Sequence, residues 1–229
     1  MFNSMLKIKN LSKEFERKPV IKNLNMEIKA GDNVCLFAPS GTGKTTLIKI
    51  INGLIKNYSG SINIKTNNIS TVFQSPDLFW YKTVRQNILF PFKIKDLKIG
   101  SAEQDRYREW LKKIELTNQE HLYPSELSGG MKQKVALARG FIFNPEFILL
   151  DEPFNSIDIR AKDKIINYIN SKYNSSTFLF VTHTIEDIPK LASKIFLFKK
   201  DMLSGFKVIE FNKSEAPSTI IKNIFEELY

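Results

Sequence analysis

The 229-residue sequence contains one cysteine, two histidines and no long apolar run, and each scarcity excludes a class of protein. The single cysteine, Cys35, cannot form an intrachain disulfide or a cysteine-cluster metal site. Two histidines, His121 and His183, argue against a histidine-built metal site. No apolar run approaches the ~20 residues of a membrane-spanning helix, and Lys7 and Lys9 interrupt the N-terminus before signal-peptide length. We therefore expect a chain that stays in a reducing cytosol.

Positive charge, by contrast, is abundant. Lysine and arginine number 34 against 24 aspartates and glutamates, a net charge of +10. Such a charge allows nucleic acid or an anionic membrane as a partner. The lysines are nevertheless scattered among asparagine and isoleucine, which favours a compositional bias over a binding patch. The hydrophobic fraction of 42% and the length fit one globular domain with an inserted subdomain.

Hydrophobic periodicity indicates an α/β domain that carries a helical insertion. Alternating apolar residues predict strands at Leu6 and Ile8 and at Leu24, Met26 and Ile28. Continuous apolar runs typical of buried strands occupy residues 34–38, 147–150 and 178–181, and two further strands are expected at 195–198 and 206–211. Helical spacing marks residues 47–55, 107–114, 165–169 and 221–228.

A strand-to-helix junction carries the pattern of a phosphate-binding loop. After Ala38 come Pro39, Ser40, Gly41, Thr42, Gly43, Lys44, Thr45 and Thr46. This is the P-loop pattern G-x-x-x-x-G-K-[ST], with Ala38 in place of the first glycine. The glycines let backbone N–H groups turn toward phosphate oxygens, and the following helix presents its positive end to them. The pattern predicts that Lys44 reaches the β- and γ-phosphates and that the Thr45 hydroxyl binds Mg²⁺.

Two carboxylates follow the apolar run at 147–150. Asp151 and Glu152 therefore lie at the C-terminal end of a predicted buried strand, where open α/β sheets bind their ligands. Taken alone, they could be solvated acids at a strand end. Beside a P-loop, we expect Asp151 to hold Mg²⁺ and Glu152 to face an attacking water.

A second helix start has the composition of an anion site. Ser128, Gly129 and Gly130 precede a predicted helix that continues to Phe141, and such an N-terminus presents backbone N–H groups to anions. One chain with two such helix ends suggests that two copies face each other across nucleotide.

In this order, the segments resemble those of the ATP-binding cassette (ABC) ATPases over nearly the whole chain. The resemblance rests on the Walker A loop 38–46, the Walker B strand 147–152, the signature 127–133, the Q-loop at Gln74, the D-loop 155–158, the switch histidine His183 and Phe15, where the family stacks an aromatic ring on adenine. It implies a P-loop NTPase (RecA-like) α/β core with an N-terminal antiparallel β subdomain. The whole chain, 1–229, then forms one ABC ATPase domain, with a helical insert at 76–143 and a helical tail at 212–229.

The resemblance also implies a mechanism and its residues. Two copies close head to tail, so that Ser128 and Gly130 contact the γ-phosphate held by the partner and Asp158 lies at the seam. The implied catalytic residues are Lys44, Gln74, Glu152 and His183. The implied nucleotide contacts are Phe15, residues 39–46, Ser128, Gly129, Gly130 and Asp158, and the implied Mg²⁺ ligands are Thr45, Gln74 and Asp151. Hydrolysis is then phosphoryl transfer to water, aided by positioning and charge neutralisation.

The implied partners are a second ATPase subunit and a separate membrane permease, at the cytoplasmic face of the membrane. A solute-binding protein is expected for an importer, and nucleic acid is not expected. In the family, the surface after the Q-loop, residues 76–88, receives a coupling helix of the permease, so we predict that Trp80 and Tyr81 are partly exposed. Among ABC ATPases, the chain most resembles those of nitrate/sulfonate/taurine-type importers, and this resemblance rests on Met131, residues 123–124 and residues 151–154.

Two alternatives remain open from the sequence. The ATPase of an exporter or a lipoprotein-release system has the same motifs. A soluble, non-transport ABC ATPase acting on nucleic acid or ribosomes is supported only by the charge of +10. The sequence departs from the family pattern at Ala38, at Gly140 after Arg139, and at 155–157, and none of these departures removes a catalytic side chain.

Overall fold

The structure, a computed structural model, describes residues 4–199, 202–212 and 215–228. These residues form two compact units. The first comprises the residues up to Ile69, Glu146–Asp151 and the residues from Ser175 onward. The second comprises Ser70–Pro145 and Glu152–Asn174.

The described residues contain nine strands and seven helices, with helices between the strands of a mostly parallel sheet, which confirms an α/β protein. The strands β1 to β9 are Ser4–Phe15, Lys18–Lys29, Asn33–Phe37, Ser59–Ile64, Ile69–Val72, Phe147–Asp151, Thr177–Val181, Lys194–Leu197 and Lys207–Glu210. The helices α1 to α7 are Lys44–Ile51, Val84–Ile94, Ser101–Lys113, Gly129–Phe141, Ile159–Lys172, Ile188–Leu191 and Pro217–Leu228. Short 3₁₀ turns occupy Pro124–Glu126 and Ile185–Asp187.

A small antiparallel sheet in the first unit has the strand order β2-β1-β4. Strands β1 and β2 are joined by Glu16 and Arg17, whose φ angles are 47° and 66°. Two successive positive φ values are the geometry of a tight type I′ hairpin turn. The predicted alternation is confirmed, because the apolar residues of both strands are buried: Leu6, Ile8, Leu24, Met26 and Ile28.

The larger sheet of the first unit provides the edge at which the P-loop begins. Strands β6, β7, β3 and β8 lie parallel in this order, and β9 pairs antiparallel with β8. Every residue of β6 and β7 is buried, as in parallel strands covered on both faces. Val181 pairs with both Asp151 and Leu36. The C-terminal ends of β6, β7 and β3 are therefore level, and they form the edge where α/β sheets bind ligands. Strand β5 begins at Ile69, where the chain enters the second unit.

The second unit contains α2, α3, α4 and α5, and an aromatic cluster joins α3, α4 and α5. The fully buried indole of Trp110 donates a hydrogen bond to the Tyr173 hydroxyl at 2.9 Å, and that hydroxyl donates to the Phe141 carbonyl at 3.0 Å. Burial raises the pKa of Tyr173 to about 12, so its hydroxyl stays protonated and can donate. The Tyr168 ring packs edge-on against Trp110, with the ring centroids 5.0 Å apart.

Some boundaries differ from the sequence-based expectation. The helix predicted for 47–55 ends at Ile51, because Asn52 and Gly53 terminate it, with φ of Gly53 at +80°. Leu54 lies beyond the helix and is exposed. Within the predicted tail 212–229, helix α7 occupies Pro217–Leu228, and residues 213, 214 and 229 lie outside the described residues. The predicted insert 76–143 remains a prediction. Each helix in the described part of the chain is too short or too polar to span a bilayer.

Candidate active site

The P-loop lies between β3 and α1 and turns through two glycines with positive φ. Gly41 has φ of +78° and Gly43 has φ of +101°, values that other residues adopt only with strain. The Thr42 hydroxyl donates to the Pro39 carbonyl at 2.9 Å and closes the loop. Helix α1 has no acidic residue in its first turn, so its positive end is not neutralised by its own side chains. The loop therefore has the backbone geometry of a phosphate nest.

The Lys44 ammonium group is folded back onto the loop. Its Nζ donates to the carbonyls of Ala38 and Pro39, both at 2.8 Å, and the residue is only 6% exposed. Charge-assisted hydrogen bonds to phosphate oxygens are stronger than bonds to neutral carbonyls. A phosphate group in the loop would therefore compete for this ammonium group with the two carbonyls.

The β1–β2 hairpin contacts the P-loop through Val20. A Cβ atom on Gly43 would lie 2.3 Å from Cγ1 of Val20, so only glycine fits here without a shift. Phe15, near the turn of the same hairpin, is 45% exposed, and Nζ of Lys13 lies 4.6 Å from its ring centroid. The ring therefore retains exposed surface that can stack on another aromatic group.

Asp151 and His183 lie at the same edge of the sheet as the P-loop. Asp151 is the last residue of β6, and His183 lies two residues beyond Val181, the last residue of β7. His183 is exposed, whereas Asp151 is 2% exposed. Residues that are far apart in the chain thus gather at the C-terminal edge of three neighbouring strands, as the sequence predicted for Asp151.

Burial raises the pKa of Asp151 above its usual range, while a hydrogen bond from Thr45 and the nearby charges of Lys44, Lys49 and His183 oppose this rise. Its buried Oδ1 atom has no hydrogen-bond partner in the part of the chain that the structure describes. A buried carboxylate oxygen beside a threonine hydroxyl fits Mg²⁺, which protein sites hold with one or two carboxylates together with substrate phosphates and water. No cluster of three histidine, cysteine or acidic residues occurs among the described residues, so a dedicated all-protein cage is not present there.

In the second unit, Gln74 and Glu152 differ in exposure. The Gln74 residue is exposed, and Glu152 is 4% exposed. The φ of Glu152 is +50°, a left-handed value that is uncommon for a side chain other than glycine, asparagine or aspartate. Such local strain persists only where surrounding contacts hold it, and it concentrates at functional sites.

The signature and the D-loop are in contact within the second unit. Ser128 caps α4 by accepting a hydrogen bond from the Met131 N–H at 3.3 Å. A Cβ atom on Gly130 would lie 2.5 Å from the Ser156 carbonyl oxygen, whereas Gly129 has no such neighbour within 4 Å. Asp158 caps α5 through the Ala161 N–H, and this hydrogen bond is the main reason that its pKa is lowered. Ser128 and Gly129 are exposed and Gly130 is half-buried, and a helix N-terminus of this kind presents backbone N–H groups to a ligand.

Three residues at these sites were not assigned a role from the sequence. Val20 shapes the P-loop, and Gln133 donates hydrogen bonds to the carbonyls of Phe73 and Pro153. Arg139 donates to the carbonyls of Pro76 and Asp77, at 2.9 and 3.1 Å. The departure at Gly140 now has a physical reason, because a Cβ atom there would lie 2.5 Å from Cγ2 of Val72. In the sequence, Gln133 was visible as the last residue of the signature 127–133, and Gly140 as a departure from the family pattern.

Comparison with known proteins identifies the family. The sequence profile of the family described as "ABC transporter" matches residues 21–155, more than half of the chain. The chain belongs to the ABC transporter family. This cassette is 34% identical, over 231 residues, to the aliphatic sulfonates import ATP-binding protein SsuB of Bacillus cereus strain ZK, with 96% of the chain and 89% of SsuB covered. It is 35% identical to the nitrate import ATP-binding protein NrtD of Synechocystis, with 84% of the chain and 77% of NrtD covered.

Two further comparisons define the limits of the likeness. The cassette is 32% identical to the sulfate/thiosulfate import ATP-binding protein CysA 2 of Rhizobium meliloti; 85% of the chain is covered, but it spans only 57% of that relative's length. It superposes on the ATP-binding cassette MJ0796, solved as a dimer bound to ADP and Pi in a post-hydrolysis state, with a TM-score of 0.78. That match has 28% identity and covers 91% of this chain and 99% of MJ0796. The predicted α/β P-loop NTPase fold is therefore confirmed.

Proposed function

We propose that this chain is the ATP-binding and ATP-hydrolysing subunit of a membrane ABC transporter and drives solute import through a separate permease. The observation that carries the proposal is the P-loop with its folded-back Lys44 beside the buried Asp151. Relatives at 34% and 35% identity are import ATP-binding proteins for sulfonates and nitrate, which favours import over export. In this proposal the solute is recognised by the other subunits of the transporter.

ATP is held in the first unit by three features. The P-loop N–H groups and the positive end of α1 surround the phosphates. Lys44 transfers its hydrogen bonds from the two loop carbonyls to the β- and γ-phosphates. Phe15, which is 45% exposed, stacks on adenine.

Mg²⁺ is held by the Thr45 hydroxyl and the Asp151 carboxylate, with Gln74 as a further ligand. When bound, Mg²⁺ supplies positive charge against the phosphate oxygens. The buried Oδ1 of Asp151, without a hydrogen-bond partner among the described residues, supports this assignment.

Hydrolysis requires positioning and proton transfer. Glu152 accepts a proton from water as the water oxygen bonds to the γ-phosphorus and the bond from that phosphorus to the ADP oxygen breaks. Gln74 orients the water, and His183 contacts the γ-phosphate. The developing negative charge is balanced by Lys44 and the P-loop N–H groups.

A second copy of the chain completes each site. Ser128 and Gly130 of one copy contact the γ-phosphate that the P-loop of the other copy holds, Gly129 lies between them, and Asp158 lies at the seam. The supporting features are the N-terminus of α4 with no acidic residue in its first turn and the dimeric state of the MJ0796 relative.

The permease docks on residues 76–88, with the chain held at the cytoplasmic face of the membrane. Trp80 is 78% exposed and Tyr81 is 53% exposed, as the sequence predicted for both. Exposed aromatic side chains are typical interface anchors. Lys82, Arg85 and Lys93 line a nearby groove of about 420 Å³ that contains one acidic residue, Asp96. We propose that the permease segment carries apolar and acidic side chains complementary to this surface. A solute-binding protein completes the importer.

Calorimetric titration with MgATP tests the nucleotide site. Lys44→Ala removes hydrogen bonds to charged oxygens worth about 1.5–3 kcal/mol, which corresponds to roughly 10- to 150-fold weaker binding. Lys56→Ala, an exposed lysine beyond α1, is the control and should bind as the native chain does. Unchanged affinity of a folded Lys44→Ala chain would refute the assignment of the P-loop.

Co-purification with the permease tests the docking surface. Tyr81→Ala should weaken assembly and lower substrate-stimulated ATP hydrolysis, whereas Tyr123→Ala, which removes another exposed tyrosine, should leave both unchanged. If Tyr81→Ala assembles and responds to substrate normally, the surface at 76–88 does not receive the permease.

A further inference from the structure

The side chain of Gln133 binds the backbone beside two of the proposed catalytic residues. Its Nε2 donates to the Phe73 carbonyl at 3.3 Å and to the Pro153 carbonyl at 3.1 Å. Phe73 directly precedes Gln74, and Pro153 directly follows Glu152. All of these residues belong to the second unit. One amide group on α4 therefore joins the two chain segments that supply the water-orienting residue and the general base.

Burial makes these two hydrogen bonds consequential. Gln133 is only 2% exposed, and a side-chain amide has two N–H donors, one for each carbonyl. In a low-dielectric surrounding, hydrogen bonds are stronger and an unmet polar group is costly. If both donors were removed, the Pro153 carbonyl would lose a buried bond that water cannot readily replace, and the partly buried Phe73 carbonyl would lose its bond to α4. Both segments would then be free to shift relative to each other.

The strained backbone at Glu152 is a second, independent indication that this segment needs the hydrogen bond from Gln133. Its φ of +50° is a conformation that requires support from surrounding contacts. The next residue, Pro153, has no N–H and can be fixed through a backbone hydrogen bond only by its carbonyl. Gln133 binds that carbonyl and thereby restrains the backbone immediately after Glu152.

We propose that Gln133 is a positioning residue that keeps Gln74 and Glu152 at a fixed mutual separation. The proposal rests on the proposed hydrolysis of ATP, in which these two residues act on the water. Gln133 touches neither substrate nor water in this account. Its loss should therefore lower turnover and leave nucleotide affinity unchanged, because misplacing catalytic groups by about 1 Å can cost on the order of a hundredfold in rate.

The test compares Gln133→Met with Gln104→Met in ATP hydrolysis and in binding of a non-hydrolysable ATP analogue. Methionine has similar length and no donors. Gln104, in α3 of the same unit, also takes part in a 3.3 Å hydrogen bond, but an exposed one with Arg85. We expect Gln133→Met to lower kcat roughly 10- to 100-fold with the affinity for the analogue within about twofold of the native value. The control should show neither change.

A second variant gives a pH dependence of kcat that a general loss of folded structure would not produce. Gln133→Glu keeps the shape and regains one O–H donor when its carboxyl is protonated, and burial favours that protonated form. Its kcat relative to the native chain should rise as the pH falls from about 8 to about 6, and this variant decides alone if Gln133→Met does not fold.

Three outcomes would overturn the proposal. They are a native kcat for Gln133→Met, a loss of affinity equal to the loss of rate, or a kcat ratio for Gln133→Glu that does not change with pH. If the native chain itself does not hydrolyse ATP, the proposed function fails and this inference fails with it. An active native chain with an equally active Gln133→Met variant overturns this inference only.

Discussion

Replacing Gly43 with alanine should destabilise the P-loop for two reasons. A side chain at φ of +101° costs about 1–2 kcal/mol. The new Cβ would also lie 2.3 Å from Cγ1 of Val20, and overpacking of this kind costs about 1–3 kcal/mol. Reduced entropy of the unfolded chain returns about 0.4–1 kcal/mol. The expected net loss in the free energy of unfolding is therefore about 1–5 kcal/mol.

Gly41→Ala is the matched control for the contact. Gly41 also has a positive φ, +78°, but no atom lies within 4 Å of the position that an added Cβ would take. Only the conformational cost then remains, about 1 kcal/mol after the gain in the unfolded state. The difference between the two variants, about 1–3 kcal/mol, isolates the clash with Val20.

A double-mutant cycle with Val20→Ala tests that clash directly. Removing Cγ1 leaves the Val20 carbonyl oxygen, at 3.3 Å, as the nearest remaining atom. The two substitutions should therefore compensate each other, with a coupling energy of about 1–2 kcal/mol in urea unfolding followed by circular dichroism. Equal losses for Gly43→Ala and Gly41→Ala, or an additive cycle, would refute the packing argument.

Two further predictions concern Asp151 and Trp110. Because burial raises the pKa of Asp151 in the folded chain, its ionisation opposes folding; stability falls as pH rises from the unfolded-state pKa through the folded one. Asp151→Asn should therefore stabilise the nucleotide-free chain near neutral pH and lose this advantage below about pH 4. The same variant should bind MgATP more weakly. A stability difference between variant and native chain that is the same at both pH values would contradict this reasoning. Trp110→Phe removes the buried hydrogen bond to Tyr173 and should lower the free energy of unfolding by about 1–3 kcal/mol, measured in urea; a native midpoint would exclude this role.

The elements that the sequence predicted are those whose side chains face the interior in a regular pattern. Strands β6 and β7 are buried along their whole length, so their apolar runs were visible. Strand β4 was missed because none of its residues is buried and its small polar residues give no alternating apolar signal. The helix after the P-loop was extended too far, since Leu54 continued its spacing although Gly53 had already ended it.

The same distinction applies to the candidate site. The P-loop and the Asp151–Glu152 pair are contiguous patterns, so the sequence alone identified them. The contacts of Gln133 with Phe73 and Pro153 join residues 60 and 20 positions apart, and no local pattern encodes such a distance. Val20 was missed for the same reason, because its contact with Gly43 depends on how the hairpin packs.

ATP-driven dimerisation of Glu152→Gln tests the central claim, that two copies of this chain enclose and hydrolyse ATP. Glutamine keeps the size of the side chain but is a poor proton acceptor, and loss of general-base assistance typically costs about 10²–10⁴ in rate. Loss of the negative charge should also favour the closed, ATP-bound state.

Size-exclusion chromatography in MgATP is the measurement. The Glu152→Gln chain should shift from monomer to dimer while hydrolysis stops, and adding Ser128→Arg, which alters the N-cap of α4, should return it to monomer. Hydrolysis at the native rate would show that another residue activates the water. An inactive variant that never dimerises, even with the permease present, would contradict the two-copy site.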